Sequence, residues 1–184
     1  LLYRLFYFKS ITKFSGAKFI RLFLNASNFK NEKSLFLVDP STVESKKNKS
    51  FLKKRGINID SNYQYVAPFY DKKNIIDKQL VNKINNLESK PEFILINLGG
   101  GVQERLGYHL KNNLNFSVGI ICTGAAISFL TGSQARIPKI IDKLYLGWLF
   151  RIMQNPKDFS MRYIKAFRLL YVFMKFKLGK INNE

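Results

Sequence analysis

The sequence predicts an α/β fold: a Rossmann-like parallel sheet flanked by helices, with a basic amphipathic helical appendage at the C-terminus. Three observations predict it. Short apolar runs, strongest at residues 93–98, alternate with segments whose apolar residues recur at helical spacing. This order of strand, helix and strand favours parallel strands joined by right-handed crossovers. The last 30 residues interleave Lys and Arg with aromatic residues at helical spacing.

The first third of the chain predicts helices, then a strand and a capped helix. Residues 1–25 resemble two short aromatic-rich helices that part near Ser15 and Gly16. Residues 34–38 form an apolar run that predicts a buried strand. It ends at Asp39, where Pro40, Ser41 and Thr42 predict a turn into a capped helix that stops near Gly56.

The middle of the chain continues the alternation. Residues 63–66 predict a second strand, and apolar residues from Ile75 to Leu87 predict a helix that ends before Pro91. A strand at 93–98, a helix at 102–112 and a strand at 118–122 follow. The uncharged stretch 112–135 is interrupted by Asn, Ser, Thr, Gly and Gln, so it predicts a strand, a loop and a short helix rather than a membrane span.

The C-terminal segment predicts a long basic helix. Asn155 and Pro156 are typical of a helix start, and the helix is expected to reach about residue 178. At helical spacing its basic residues lie on a different face of the helix from Tyr163 and Met174. The basic residues are Arg162, Lys165, Arg168 and Lys175. Such a helix binds an anionic membrane or closes over a phosphorylated substrate, and the alternative is a solvated basic face. The predicted organisation is one compact unit: N-terminal helices at 1–33, the core at 34–135 and the appendage at 136–184.

Composition restricts the partners and the chemistry. The chain has 184 residues, with 31 Lys and Arg against 12 Asp and Glu, a net charge of +19. Nucleic acid, anionic lipid and phosphorylated substrates are therefore the candidate partners. The single cysteine, Cys122, excludes an internal disulfide, and the single histidine, His109, excludes a multi-histidine metal site. We expect no metal.

Two loops carry the candidate chemistry, because ligands of open α/β sheets bind at the carboxyl ends of strands. Gly99, Gly100 and Gly101 follow a strand and open a helix, so their N–H groups could cradle a diphosphate. A tight turn explains them equally well, and Glu104 in the first helical turn is also favoured without any ligand. Gln103 either contacts sugar hydroxyls or phosphate or has a capping role.

The second loop, from Thr123 to Ala126, ends a strand with small residues. Small residues permit close approach of the backbone to a nucleotide, and close helix packing also requires them.

Four motifs follow one another in a fixed order between Leu98 and Tyr163. They are Gly99 with Gln103 and Glu104; Gly124 with Phe129 and Gly132; Arg136 with Pro138; and Leu146, Trp148 and Arg151 followed by Pro156, Arg162 and Tyr163. In this order they resemble the bacterial WecG/TagA/CpsF glycosyltransferases, a family of N-acetylmannosamine and N-acetylmannosaminuronate transferases. Ser128 stands where this family frequently has Asp, and Gly101 and Val102 replace the Pro and Lys of its glycine loop.

The resemblance implies an inverting, metal-independent transfer of an N-acetylmannosamine-type sugar or related hexose. The donor is a UDP-sugar and the acceptor an undecaprenyl-diphosphate-linked sugar, in cell-envelope or capsular polysaccharide synthesis. It implies a peripheral protein on the cytoplasmic face of the membrane that uses no cofactor. We expect no nucleic-acid partner, and a homo-oligomer remains one of the alternatives.

The resemblance also implies site residues. Donor contacts fall to Gly99, Gly100, Gly101, Gln103, Glu104, Thr123, Gly124 and Ser128. Diphosphate or acceptor contacts fall to Arg136, Arg151 and Arg162. The amphipathic pattern of the C-terminal helix, rather than the resemblance, assigns membrane contacts to Lys165, Arg168 and Lys175. The family's proposed base is an Asp in an Asp-Gly motif that this sequence lacks, so we expect that base upstream of Leu1, in an N-terminally truncated member.

Two other classes use the same features. The positive charge also suits a nucleic-acid-binding or anionic-lipid-binding module, although no recognised DNA- or RNA-binding motif occurs. A catalytically inactive remnant without the general base is the other alternative.

Overall fold

The core of the protein is a four-stranded parallel sheet. The computed structural model describes residues 14–26, 29, 32–71, 74–133, 141, 146–154 and 156–181. The strands are β1 (Leu35–Asp39), β2 (Gln64–Val66), β3 (Phe93–Ile96) and β4 (Gly119–Cys122), in the spatial order β2-β1-β3-β4. All three pairings are parallel. The predicted Rossmann-like α/β class is confirmed.

The described helices alternate with these strands. They are α1 (Gly16–Ala26), α2 (Thr42–Lys53), α3 (Lys78–Asn85), α4 (Val102–Asn113), α5 (Ala126–Thr131), α6 (Gly147–Gln154) and α7 (Pro156–Ile181), with a 3₁₀ turn at Ser61–Tyr63. The chain divides into two compact units. One is Phe14–Ala135, which contains the sheet and α1 to α5, and the other contains α6 and α7.

The central strands β1 and β3 form the middle of the core. All five residues of β1 are buried, and so are Ile94, Leu95 and Ile96 of β3. A continuous apolar run is what a strand covered on both faces requires. Leu106 and Leu110 of α4 are also fully buried. Burial of this apolar surface, at about 25 cal/mol per Å², drives the collapse of the helices onto the sheet.

An aromatic cluster packs at the start of β3. Phe23 of α1 meets Phe29 and Phe93 edge to face, with ring centroids 5.3 and 5.0 Å away. Phe93 lies directly opposite Gly119 in the β3–β4 register. A methyl group at position 119 would come within 2.6 Å of the Phe93 ring, so the ring occupies the space that a side chain there would need.

Side-chain caps set where two helices begin. The Ser41 hydroxyl accepts a hydrogen bond from the Glu44 N–H at 3.2 Å and starts α2, as predicted. Asp77 caps α3 by accepting from the Leu80 N–H at 2.8 Å. The helix predicted from Ile75 onward therefore begins three residues later, at Lys78, because the Asp77 cap interrupts the apolar spacing.

Asp77 also fixes the loop that follows β2. Its other carboxylate oxygen accepts from the hydroxyls of Tyr65 and Tyr70 at 2.9 and 2.5 Å, and its backbone N–H donates to His109 Nε2 at 3.2 Å. Burial and the adjacent Asp77 carboxylate raise the pKa of Tyr65 to about 12. The single histidine thus has a structural partner in this loop.

The second unit is a pair of consecutive helices. Trp148 of α6 and Tyr163 of α7 bring their rings to a centroid distance of 6.1 Å. Within the described part of the chain, none of the helices combines the length and the apolar character needed to span a membrane. The predicted first N-terminal helix lies outside the described residues, whereas the second is present as α1.

Replacement of Gly119 by Ala is expected to destabilise the protein by about 1–3 kcal/mol, the usual cost of overpacking a core. The Phe93 ring cannot retreat freely, because Phe23 and Phe29 pack against it. Urea unfolding measures the loss. Gly99→Ala serves as the control, since an added methyl group there has no heavy atom within 4 Å. Equal stability of the two variants would show that the Phe93 ring does not confine position 119.

Candidate functional site

The carboxyl ends of all four strands lie at one edge of the sheet, because the strands are parallel. The strand order reverses between β1 and β3: the chain steps from β1 to β2 on one side, and then to β3 on the other. In open α/β sheets the crevice outside such a reversal is where ligands bind. The residues at this point are Asp39, which ends β1, and Asn97, which follows β3.

A glycine loop joins β3 to α4 at this edge. Gly101 has a φ of 86°, a left-handed conformation that L side chains rarely adopt. The Gly99 carbonyl accepts from the N–H groups of Val102 and Gln103, both at 3.2 Å, and so closes the turn. A methyl group built on Gly99, Gly100 or Gly101 would have no heavy atom within 4 Å. The loop therefore borders open space at the N-terminus of a 12-residue helix.

Gln103 and Glu104 connect this loop to the one after β4. Glu104 Oε2 accepts from the Gly101 N–H at 2.6 Å, and Glu104 Oε1 accepts from Gln103 Nε2 at 2.8 Å. Gln103 Oε1 in turn accepts from the Gly124 N–H. Gln103 is buried, with 7% of its surface exposed. Hydrogen bonds from Gln103 and from backbone N–H groups lower the pKa of the Glu104 carboxyl, so Glu104 is ionised at neutral pH.

The loop after β4 supplies a buried hydroxyl. Thr123 Oγ1 is buried and has no hydrogen-bond partner within the described structure. Gly124 has a φ of 60°, and a methyl group there would lie 3.4 Å from the Leu98 carbonyl oxygen. Ser128, one turn into α5, donates its hydroxyl to Glu44 Oε2 at 3.0 Å. Glu44 lies in α2, so this bond ties α2 to α5.

Asp39 forms a buried polar cluster at the point where the strand order reverses. Its carboxylate is fully buried, and one oxygen, Oδ1, accepts from Asn48 Nδ2 at 2.7 Å and from Asn97 Nδ2 at 2.8 Å. The second oxygen, Oδ2, is buried without a partner among the described residues. Burial raises the pKa of Asp39, and the hydrogen bonds from Asn97 and Asn48 offset part of that rise.

The structure brings most of the predicted donor residues together. Gly99 to Gly101, Gln103, Glu104, Thr123 and Gly124 lie on two adjoining loops at the carboxyl edge, and Ser128 lies in the helix that follows. Gln103, Glu104 and Ser128 have protein partners there. Of the predicted cations, Arg151 in α6 and Arg162 in α7 belong to the other unit. Arg136 lies outside the described residues.

Sequence reasoning missed Asp39, Glu44, Asn48 and Asn97. Asp39 could have been found from the sequence, because an acidic residue at the end of an otherwise apolar strand is rarely buried without a functional or structural reason. Asn97 is a polar residue near the end of the predicted strand 93–98, two residues before the glycine loop, and could have been singled out in the same way. Asn48 and Glu44 lie in a helix rich in polar residues, where no spacing separates a buried amide from exposed ones.

The fold and the two loops define a class of protein. It is a doubly wound α/β protein with an open glycine loop at a helix N-terminus, a geometry suited to a phosphorylated ligand. The model of the glycosyl transferase WecG/TagA/CpsF family matches residues 1–183, and the chain belongs to that family. Its members are glycosyltransferases of cell-envelope polysaccharide synthesis. Comparisons with curated proteins and with solved structures found no match.

Replacement of Asp39 by Asn is expected to raise the free energy of unfolding at neutral pH. A carboxyl whose pKa is raised by folding contributes most stability below its unfolded pKa, near 4, and that contribution is lost as the pH rises through the folded-state value. Asparagine removes this loss and still accepts both amide hydrogen bonds through Oδ1. Each tenfold change in proton affinity corresponds to about 1.4 kcal/mol.

Urea unfolding between pH 4 and pH 8 checks this prediction, with Glu88→Gln as the exposed control of equal charge change. The advantage of Asp39→Asn over the natural protein is expected to grow with pH. A variant that is less stable than the natural protein at pH 8 would show instead that the fold favours the ionised Asp39.

Proposed function

We propose that the chain binds a UDP-sugar at the carboxyl edge of the sheet and transfers its sugar to a polyprenyl-diphosphate-linked acceptor. One observation carries the proposal: in a member of a glycosyltransferase family, the glycine loop borders open space at the N-terminus of α4. The N–H groups of a helix N-terminus and its dipole favour an anionic group. The donor diphosphate is the anion that this reaction provides.

The glycine loop serves the diphosphate in this proposal, while Thr123, Gly124 and Ser128 serve the nucleoside or sugar. The Thr123 hydroxyl is both a donor and an acceptor, and it is buried without a partner among the described residues, so a ligand hydroxyl or carbonyl that enters this loop would satisfy it. Gln103 and Glu104 lie beneath the two loops and hold them. The transferred sugar is an N-acetylmannosamine-type sugar or related hexose.

The chemistry is a single displacement with inversion and without a metal. The acceptor hydroxyl attacks the anomeric carbon, the bond to the UDP oxygen breaks, and the hydroxyl proton passes to a general base that is not assigned to any residue of this chain. Negative charge grows on the leaving diphosphate. Backbone N–H groups of the glycine loop are proposed to neutralise that charge. Arg136, Arg151 and Arg162 are proposed to bind a diphosphate of the donor or of the lipid acceptor.

Membrane association is proposed to depend on α7. Lys165, Arg168 and Lys175 are exposed, and so are the apolar side chains of Ile164 and Tyr171. A helix with both kinds of exposed side chain suits an anionic membrane surface, where each nearby Lys or Arg contributes about 1 kcal/mol. In this proposal the protein and the lipid diphosphate of its acceptor meet at the inner membrane face.

UDP is expected to stabilise the protein against heat, and Gly100→Asp is expected to weaken UDP binding about tenfold relative to Gly100→Asn. Both side chains have the same shape and enter open space, so only the aspartate charge opposes the diphosphate. Isothermal titration of UDP measures the difference. Absence of UDP binding by the natural protein, or equal affinities for the two variants, would place the diphosphate elsewhere.

Simultaneous replacement of Lys165, Arg168 and Lys175 by Gln is expected to lower partitioning onto anionic vesicles roughly 100-fold at low ionic strength. The matched control replaces Lys46, Lys47 and Lys53 by Gln, which removes the same charge from exposed positions of α2. Vesicle sedimentation measures both. An equal loss in the two triple variants would indicate that net charge alone, and not α7, determines binding.

A further inference from the structure

We propose that Gln103 and Glu104 form a hydrogen-bond relay that couples the glycine loop to the loop after β4, so that the two loops adopt their ligand-binding geometry together. Both are positioning residues in this proposal. The ligand part rests on the proposed function, whereas the coupling is a property of the free protein.

The relay is a continuous chain of three hydrogen bonds. The Gly101 N–H donates to Glu104, the Gln103 side-chain amide donates to the second oxygen of Glu104, and the Gly124 N–H donates to the Gln103 side-chain oxygen. The two ends, Gly101 and Gly124, belong to different strand-to-helix connections. In this chain of bonds the two loops are connected only through the side chains of Gln103 and Glu104.

The orientation of the Gln103 amide is determined from both ends. If the amide rotated by 180°, its NH₂ group would face the Gly124 N–H and its oxygen would face the Glu104 carboxylate. Both links would fail at once, inside a largely buried residue where a lost hydrogen bond costs about 1–3 kcal/mol. A disturbance at one end of the relay is thus transmitted to the other.

The residues at both ends need such a restraint. Gly101 and Gly124 have φ angles of 86° and 60°, and glycine has the widest range of backbone conformations in the absence of contacts. Each one donates its N–H to a side chain of α4, and a methyl group on Gly124 would lie 3.7 Å from the Gln103 amide. The relay consequently selects one backbone conformation in each of two loops.

Exchange of the two side-chain types tests the relay. Gln103→Glu places a second carboxylate beside that of Glu104, so two acceptors face each other. Glu104→Gln leaves only one acceptor oxygen at position 104, so its NH₂ group faces another N–H donor of the relay. The double variant Gln103→Glu with Glu104→Gln keeps every link. Its amide at position 104 accepts from Gly101 and donates to the carboxylate at position 103, which accepts from Gly124. The control exchanges the exposed pair Gln79→Glu and Glu88→Gln, with the same net charge.

Amide hydrogen exchange of Gly101 and Gly124, measured by NMR in the free protein, reports the coupling. Glu104→Gln is expected to accelerate exchange at Gly124, which does not bond to Glu104 directly, by up to about tenfold, as expected for loss of one hydrogen bond. The double variant is expected to restore both amides to the rates of the natural protein. Unchanged exchange at Gly124 in Glu104→Gln would overturn the proposal, because the loops would then be independent.

UDP titration of the same proteins separates positioning from direct contact. Each single variant is expected to bind UDP more weakly, and the double variant to recover the affinity together with the exchange rates. Recovery of exchange without recovery of UDP affinity would overturn the positioning role, since the side chains would then contact the ligand directly. If the natural protein binds no UDP, the proposed function fails, and the exchange rates still decide whether the relay exists.

Discussion

Parallel pairing of β1 with its two neighbours is the constraint on which the rest of the molecule depends. The strand is buried over its whole length and pairs with β2 on one side and β3 on the other. Because each crossover must return to the same end of the sheet, every strand-to-helix loop of the sheet begins at one edge. The position of the candidate site is therefore a consequence of strand direction, before any side chain is considered.

The same edge holds buried polar groups that, within the part of the chain that the structure describes, lack hydrogen-bond partners, and these groups lower the stability of the fold. Among the described residues, Asp39 Oδ2, Asn48 Oδ1, Asn97 Oδ1 and Thr123 Oγ1 are buried oxygens without partners. Asp39, Asn97 and Thr123 end or follow β1, β3 and β4. The opposite end of β3 is closed by aromatic packing around Phe93 instead. The fifth buried polar atom without a partner in the described part of the chain, Gln64 Nε2, lies at the start of β2. Buried polar groups are normally hydrogen-bonded, so the four oxygens at the carboxyl edge mark it as a place where a ligand or water can complete the bonding.

The sequence predicted the order and type of the core elements because the buried strands are short continuous apolar runs, whereas the helices repeat apolar residues at helical spacing. It placed the start of α3 too early, since Ile75 and Ile76 continue the apolar spacing although Asp77 ends it by capping. The glycine loop and its neighbour could be located as loops that follow strands. The contacts of Gln103 could not, because its partner Gly124 is 21 residues away and a side-chain amide has no periodic signal. The contact between Ser128 and Glu44, across 84 residues, was missed for the same reason.

The pairing of Gly119 with Phe93 means that neither position can be interpreted alone. The aromatic ring lies over the strand where its neighbour has no side chain, so the two positions together fill one volume. In related sequences, we expect a larger residue at the position of Gly119 only where the residue opposite is smaller. The side-chain sizes at positions 93 and 119 should therefore be inversely correlated among related sequences. Such a correlation identifies which residues of β3 and β4 lie opposite each other from sequences alone.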